Sequence, residues 1–161
     1  MHKLFILVAV HVLSSHAVAE EMDPRSVVSV RLERTECFGS CPVYALVASR
    51  DGTLFYRGTD HVKARGERVG EITQKDFSQL ADAAAQVKFL SFSDHYVSKA
   101  DGCTEVWTDH PSVKITLRFT SGEKSVEHYM GCKGLAEASR VDWLAKTIDE
   151  LAQTSQWVGP R

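Results

Sequence analysis

The sequence predicts an α+β domain in which an antiparallel β-sheet, made of a meander and a later hairpin, packs against two amphipathic helices and is stabilised by disulfides. Three observations predict this fold class. Apolar and polar residues alternate in several short runs, as they do in half-buried strands. Two other segments have the period of a helix, and four cysteines are spread along the chain.

The first half of the chain is predicted to form the meander. Val28, Val30 and Leu32 alternate with polar residues, and Asp51-Gly52 is a hairpin turn signal, since this pair accepts positive φ angles. Gly66 marks a break before the last strand. The predicted strands of this half span residues 28–33, 43–49, 53–57, 61–64 and 67–72.

The period changes at Thr73, which lies three residues before Asp76. This is capping-box spacing, with Asp in place of the usual Glu, and it predicts a helix over 74–87. The apolar face of this helix consists of Phe77, Leu80, Ala81 and Ala84. The residues that follow it, Phe89, Leu90 and Phe92, are predicted to fold beneath the sheet as an apolar latch.

Residues 93–112 show no periodicity, and an aperiodic stretch of this length is often functional or pinned. Cys103 indicates that it is pinned. Alternation returns over 113–119, Ser121-Gly122 is a turn, and 124–129 completes the hairpin. A second amphipathic helix is predicted over about 137–152 from Val141, Leu144, Ala145, Ile148 and Leu151, and Trp157 is expected to pack the tail.

Residues 1–19 have the features of a secretory signal peptide: Lys3, an apolar stretch over 4–13, and Ala17-Val18-Ala19 at the end. The apolar stretch is about half the roughly 20 residues of a membrane span. We therefore expect cleavage after Ala19, a periplasmic or secreted protein with no membrane span, and a single α+β domain over 20–161 whose core covers about 27–158.

The charge balance argues against nucleic acid as a partner. The chain has 19 Lys and Arg against 21 Asp and Glu, whereas phosphate binding needs a concentrated basic surface. Lys63, Arg65 and Arg68 form a small basic cluster, but Glu67 and Glu71 lie within it. A solvated strand face explains these residues better.

Four cysteines in an exported chain favour two disulfides. Three pairings are open, and the preferred one is Cys37 with Cys41 and Cys103 with Cys132. In that pairing the first bond is local, and the second joins the two ends of the predicted hairpin. The alternative links the Cys37/Cys41 segment to Cys103 or Cys132.

The cysteine spacing does not favour redox or metal chemistry. Three residues separate Cys37 from Cys41, and the segment after them is predicted to be a strand, so no helix N-terminus is present to lower a thiol pKa. A zinc site would need a second ligand pair. No catalytic motif or cofactor is predicted, and His128 is expected to be a hydrogen-bonded core or edge residue.

Two Asp-His pairs in the aperiodic segment, Asp94-His95 and Asp109-His110, leave open a metal-binding or hydrolytic alternative. The leading hypothesis is a non-catalytic binding module of the periplasm or cell envelope, with an unknown protein or envelope ligand as partner. Its candidate binding surface consists of Phe38, Gly39, Ser40, Asp109 and His110.

The segment 32–44 contains a Cys-Phe-Gly-x-Cys-Pro-x-Tyr core that resembles the opening of the bacterial domain-of-unknown-function family 6438. The resemblance extends over about 27–158 and implies an exported α+β domain without an assigned activity, catalytic residue or cofactor. Its other matching segments are 51–53 with Tyr56 and Gly58, 108–112, 128–132, and 148–151 with Trp157. The order of elements is also similar to that of emfourin-type proteinaceous inhibitors of metalloproteases, which makes protease inhibition an alternative function.

Overall fold

The fold is taken from a computed structural model of the protein, which describes residues 22–159. The predicted signal peptide over 1–19 lies outside the described residues. Between residues 22 and 159, no helix has the length and apolar character needed to cross a membrane.

The main strands and helices follow one another in the order that the sequence predicts. The strands are β1 (Val27–Arg34), β2 (Val43–Ser49), β3 (Thr53–Asp60), β4 (Gly66–Glu71), β5 (His95–Tyr96), β6 (Glu105–Val106), β7 (Ser112–Phe119), β8 (Gly122–Tyr129) and β9 (Cys132–Lys133). The α-helices are α1 (Gln74–Gln86), α2 (Ala136–Leu151) and α3 (Ser155–Val158). Short 3₁₀ turns cover Pro24–Ser26, Phe89–Ser91 and Lys99–Asp101.

Seven strands form one sheet in the order β4-β3-β2-β1-β7-β8-β5. All of its pairings are antiparallel except that of β5 with β8. β6 and β9 form a separate two-stranded sheet. The predicted α+β class, with a meander joined to a hairpin, is confirmed.

The core lies between one face of the large sheet and helices α1 and α2. Alternate residues of the strands are buried on that face, while their neighbours lie on the opposite, open face. Thr73 caps α1 as predicted, because its hydroxyl accepts the Asp76 N–H at 3.0 Å. The largest fully buried side chains include Leu32, Leu46, Leu54, Tyr56, Leu80, Phe89, Ile115, Leu117, Leu144 and Ile148.

β1 departs from the predicted alternation at its start. Val27 is fully buried while Val28 is only half-buried. The register of β1 against β7 shifts between Val27 and Ser29, and such a bulge places one extra residue in a strand. The bulge therefore turns Val27, and not Val28, towards the core.

The predicted strand over 61–64 is wrong. β3 continues to Asp60, and His61 then takes a positive φ of 47°, which ends the extended backbone. Lys63 and Ala64 donate their N–H groups to the carbonyls of Val158 and Trp157, at 3.2 and 2.8 Å. The C-terminal turn thus accepts the hydrogen bonds of these two backbone N–H groups, in place of a neighbouring strand.

The apolar latch after α1 is buried only in part. Phe89 and Phe92 lie in the core, and their rings meet edge to face with centroids 5.9 Å apart. Leu90 between them is 37% exposed. The 3₁₀ turn at Phe89–Ser91 explains the difference, because its three residues point in three directions.

Tyr56 lies in the core with a hydroxyl that finds no hydrogen-bond partner among residues 22–159. Its ring stacks on Trp157 with centroids 5.0 Å apart, which is how Trp157 packs the tail. Burial raises the pKa of the Tyr56 hydroxyl, because a charged phenolate is disfavoured away from water.

We expect Tyr56→Phe to stabilise the protein by about 1 kcal/mol, because it removes a buried hydroxyl that has no partner and keeps the ring. Tyr44→Phe is the matched control. The Tyr44 hydroxyl donates to Asp149 at 2.5 Å, so its loss should cost roughly 1.5–3 kcal/mol. Urea unfolding measures the free energy of unfolding of both variants. An equal loss of stability in the two would contradict the assignment of the Tyr56 hydroxyl as unpartnered among the described residues.

Candidate functional site

The loop between β1 and β2 is closed by a disulfide. Cys37 and Cys41 are bonded, with their Cα atoms 5.7 Å apart. The Gly39 N–H donates to the Cys37 carbonyl at 2.9 Å, which folds the chain tightly around Phe38. The Phe38 side chain is 89% exposed. A large aromatic side chain is thus held outside the core on a short, cross-linked loop.

The segment that leads into β7 lies directly beside this loop. The Phe38 N–H donates to the Asp109 carbonyl at 3.4 Å. The Thr35 N–H donates to the Ser112 carbonyl at 3.0 Å, and the Ser112 N–H donates to the Thr35 hydroxyl at 2.7 Å. The structure therefore brings two distant parts of the sequence together at the same end of the sheet.

A second disulfide holds the segment that carries Trp107. Cys103 and Cys132 are bonded and both are buried. The backbone N–H of Trp107 donates to the Gly131 carbonyl at 2.9 Å. A Cβ atom at Gly131 would lie 2.1 Å from the Trp107 carbonyl oxygen. Only glycine therefore permits this close approach of the two segments.

Trp107 is 53% exposed, but its ring is fixed by polar neighbours. The indole N–H donates to Glu105 Oε2 at 2.7 Å. The Lys133 ammonium lies 5.0 Å from the ring centroid, a cation–π arrangement, and also donates to the Met130 carbonyl at 2.7 Å. The indole is thus presented to solvent in one orientation.

His110 connects Trp107 to the end of β8. Its ring centroid lies 6.2 Å from that of Trp107 and 6.4 Å from that of Tyr129. Its Nδ1 lies 2.7 Å from the Thr108 carbonyl; since a carbonyl only accepts, Nδ1 carries the proton and donates. The His110 backbone N–H donates to the Tyr129 hydroxyl at 3.2 Å.

We call Phe38, Trp107 and His110 the aromatic surface. Glu36 and Asp109 are exposed carboxylates in the same loops, and Glu105 is an exposed carboxylate on β6, two residues before Trp107. Asp109 adopts a positive φ of 69°, a conformation that Asp tolerates better than most residues. This bend lets the Asp109 carbonyl face Phe38 while the next residue turns towards Tyr129.

The structure places the five predicted surface residues in these two neighbouring loops. Phe38, Gly39 and Ser40 lie on the disulfide-closed loop, and Asp109 and His110 lie on the adjoining one. Trp107 lies within the aperiodic segment 93–112 that the sequence singled out, but neither it nor Tyr129 or Lys133 was named among the predicted surface residues. Trp107 had a usable signal, because it is a large aromatic residue in a polar, aperiodic segment, four positions after Cys103.

The two Asp-His pairs of the alternative hypothesis lie at different points along β8. Asp94 forms an ion pair with Lys124, which lowers the pKa of the Asp94 carboxyl, and His95 pairs in register with Glu127. His110 instead lies beyond the far end of the strand, at Tyr129. The structure does not bring the four residues into one site.

Two acid-containing clusters beneath the surface support the scaffold. His128 is buried as predicted, with Nδ1 2.7 Å from Asp142 Oδ1 on α2. Asp149 accepts the Tyr44 hydroxyl at 2.5 Å, the Thr154 hydroxyl at 2.8 Å and the Arg34 guanidinium at 2.8 Å. Sequence reasoning missed this second cluster, because its members are far apart in the chain.

The part of the aperiodic segment that precedes Cys103 is ordered by Asp101. This carboxylate accepts the Ser98 hydroxyl at 2.7 Å and the N–H groups of Val97 and Ser98. The Ser98 hydroxyl bond, followed by the backbone bonds, lowers the pKa of the Asp101 carboxyl. Across the described residues, no three His, Cys, Asp or Glu side chains are grouped so as to hold a metal ion.

The fold and these loops define a disulfide-stabilised α+β domain that presents an exposed aromatic surface. The family model described as "Domain of unknown function (DUF6438)" matches residues 28–152. The chain belongs to this family. A comparison with curated proteins gave no match.

Proposed function

We propose that this protein is an exported binding module that recognises a protein partner through the aromatic surface. The observation that carries the proposal is the exposure of Phe38 and Trp107, at 89% and 53%, on loops that are each fixed by a disulfide and by main-chain hydrogen bonds. Large aromatic side chains dominate the energetics of many protein interfaces.

Pre-organisation supports this proposal further. A loop that is already ordered loses little conformational entropy on binding. Both loops meet this condition, because each is held by its own disulfide. The hydrogen bond from the Phe38 N–H to the Asp109 carbonyl joins one loop to the other. An aromatic residue that served only the fold would be expected in the core, where Tyr56 and Phe89 lie.

Export is part of the same proposal. Two disulfides fit an oxidising compartment, and residues 1–19 have the sequence pattern of a signal peptide. We expect protein purified from the periplasm or the medium of a bacterial host to begin at Glu20. N-terminal sequencing tests this, and a chain that retains Met1 would contradict it.

The binding proposal predicts a specific loss of partner capture. The double variant Phe38→Ser/Trp107→Ser should bind its envelope partner at least about tenfold more weakly, because both anchors become polar. Envelope proteins captured on the immobilised wild type are identified by mass spectrometry, and the dissociation constant of each is then measured with both proteins. Metalloproteases belong among the partners tested, given the emfourin-like order of elements.

Leu90→Ser is the matched control for that experiment. Leu90 is an exposed apolar residue that lies near Phe119 and Gly122, at the opposite end of the β7–β8 hairpin. It should leave the dissociation constant unchanged. If the wild type and the double variant bound every captured partner with equal affinity, the aromatic surface would not be the binding site.

A further inference from the structure

β4 forms one edge of the large sheet and pairs, within the described residues, with β3 alone. The Ile72 N–H donates to the Gly52 carbonyl at 2.9 Å, in the same register as the ladder. Hydrogen-bonded and non-hydrogen-bonded pairs alternate in an antiparallel ladder. Glu67, Val69 and Glu71 therefore direct their main-chain N–H and C=O groups away from β3.

This edge is accessible along its length. Val69 is 72% exposed, and Glu67, Arg68 and Glu71 are exposed as well. The Glu67 carbonyl accepts a local hydrogen bond from the Arg68 guanidinium at 2.6 Å, and an incoming strand would replace it. Exposed edge strands of this kind are the sites at which a further strand can be added.

The side chains on this edge have a definite charge pattern. Val69 lies opposite Phe55, and Phe55 lies opposite Val47, in register on the open face of the sheet. Because side chains alternate along a strand, Glu67 and Glu71 share that face with Val69. The edge therefore presents an acidic, an apolar and an acidic side chain in alternate positions.

We infer that β4 accepts an extended segment of a partner protein as an eighth, antiparallel strand, and that this segment carries a basic–apolar–basic pattern at alternate positions. Opposite charges in directly paired cross-strand positions attract, and like charges repel. An apolar residue opposite Val69 would extend the apolar row of Val47, Phe55 and Val69. This inference is independent of the aromatic surface.

A second copy of the chain fits the edge less well. If two β4 strands paired antiparallel about Val69, each Glu67 would lie opposite the Glu71 of the other copy. These like charges oppose self-pairing, whereas a basic–apolar–basic segment satisfies all three positions. The charge pattern thus selects a partner strand over self-association.

The test is an NMR titration of the mature protein with the end-blocked peptide TRTVTRT, at up to millimolar concentration, with the charge-reversed peptide TETVTET, of the same length and apolar centre, as the control. We expect TRTVTRT to shift the amides of Glu67, Val69 and Glu71, and to bind at least about tenfold more tightly than TETVTET. The double variant Glu67→Lys/Glu71→Lys should reverse this preference. Reversal would show that the peptide binds beside these two carboxylates.

A backbone variant separates strand addition from simple charge attraction. Val69→Pro removes an N–H that points away from β3, so the β3–β4 ladder keeps all its bonds, and peptide affinity should fall at least about fivefold. Phe38→Ser/Trp107→Ser should bind TRTVTRT like the wild type. The spectrum of each variant without peptide confirms that it is folded.

Three outcomes would overturn the inference. The amides of β4 could remain unshifted at millimolar TRTVTRT, or both peptides could bind equally well. Alternatively, sedimentation could reveal a wild-type dimer that Val69→Pro abolishes, which would assign the edge to self-pairing. Failure of partner capture by the aromatic surface would affect none of these measurements.

Discussion

Asp149→Ala is expected to lower the free energy of unfolding by about 3 kcal/mol, because it leaves a largely buried guanidinium without its carboxylate. The Asp149 side chain is 6% exposed and that of Arg34 is 15% exposed. Both Nε and Nη2 of Arg34 donate to Asp149 Oδ2, at 3.1 and 2.8 Å. Removal of the carboxylate also leaves two hydroxyls, those of Tyr44 and Thr154, without this acceptor.

The large effect follows from the position of Asp149. It lies near the end of α2 and bonds to Arg34 at the end of β1 and to Tyr44 on β2. One side chain therefore fastens the second helix to two adjacent strands. Thr154, which follows α2, bonds to the other carboxylate oxygen at 2.8 Å and extends the attachment to the C-terminal turn.

Urea unfolding followed by circular dichroism measures this loss. Glu150→Ala is the control, since Glu150 is the next residue of the same helix and forms an exposed ion pair with Lys146 at 3.8 Å. Exposed pairs of this kind contribute about 0–1 kcal/mol, so Glu150→Ala should change little. A similar loss in both variants would show that helix content, and not the buried cluster, determines the effect.

Removal of the Cys103–Cys132 disulfide is the second change with a large expected effect. The bonded residues are 29 positions apart, and chain entropy assigns a closed loop of that size ~3.6 kcal/mol. Both cysteines are buried, so Cys103→Ala/Cys132→Ala also loses packing. We further expect Trp107 to become mobile, because the bond anchors the segment that carries it.

The second disulfide supplies the comparison. Cys37 and Cys41 are only four positions apart, and a loop this short is assigned ~2 kcal/mol. Cys37→Ala/Cys41→Ala should therefore cost less stability and leave the mobility of the Trp107 indole unchanged. Denaturant unfolding of both double variants tests the order of stabilities, and NMR relaxation of the Trp107 indole N–H tests the mobility. A larger loss of stability in Cys37→Ala/Cys41→Ala than in Cys103→Ala/Cys132→Ala would contradict the expected order.

Much of the fold could be predicted because local patterns report it. The alternation over 113–119 predicts β7, and Val113, Ile115 and Leu117 are indeed buried together. The cap at Thr73 predicts where α1 begins. These signals depend on neighbouring residues alone, because the periods of strand and helix are set by backbone geometry.

The errors occur where a distant contact overrides the local pattern. The segment 61–64 looks like a strand, but the C-terminal residues Trp157 and Val158 accept its N–H groups. Val28 fits the alternation, but the bulge in the pairing of β1 with β7 falls at this residue. The residues that cause these two departures are far away in the sequence. A pattern of neighbouring residues therefore could not predict them.

The candidate site shows the same division. Phe38 stood out because of the cysteines on either side, and Asp109 and His110 because they lie in an aperiodic segment. Trp107 lies among those residues in space as well as in sequence, yet only its burial and contacts mark it as an exposed, oriented ring. Periodicity gives no information on a residue outside helices and strands.

The α+β class, the main strands and helices, and the family resemblance of the segment around Cys37 could all be predicted from the sequence alone. Only the folded chain shows which cysteines pair, which loops adjoin Phe38, and how Asp149 meets Tyr44 across 105 positions of sequence. It also shows which strand has a free edge. The physical reason is that strand order and register are set by long-range packing, whereas sequence periodicity records only the local geometry of each element.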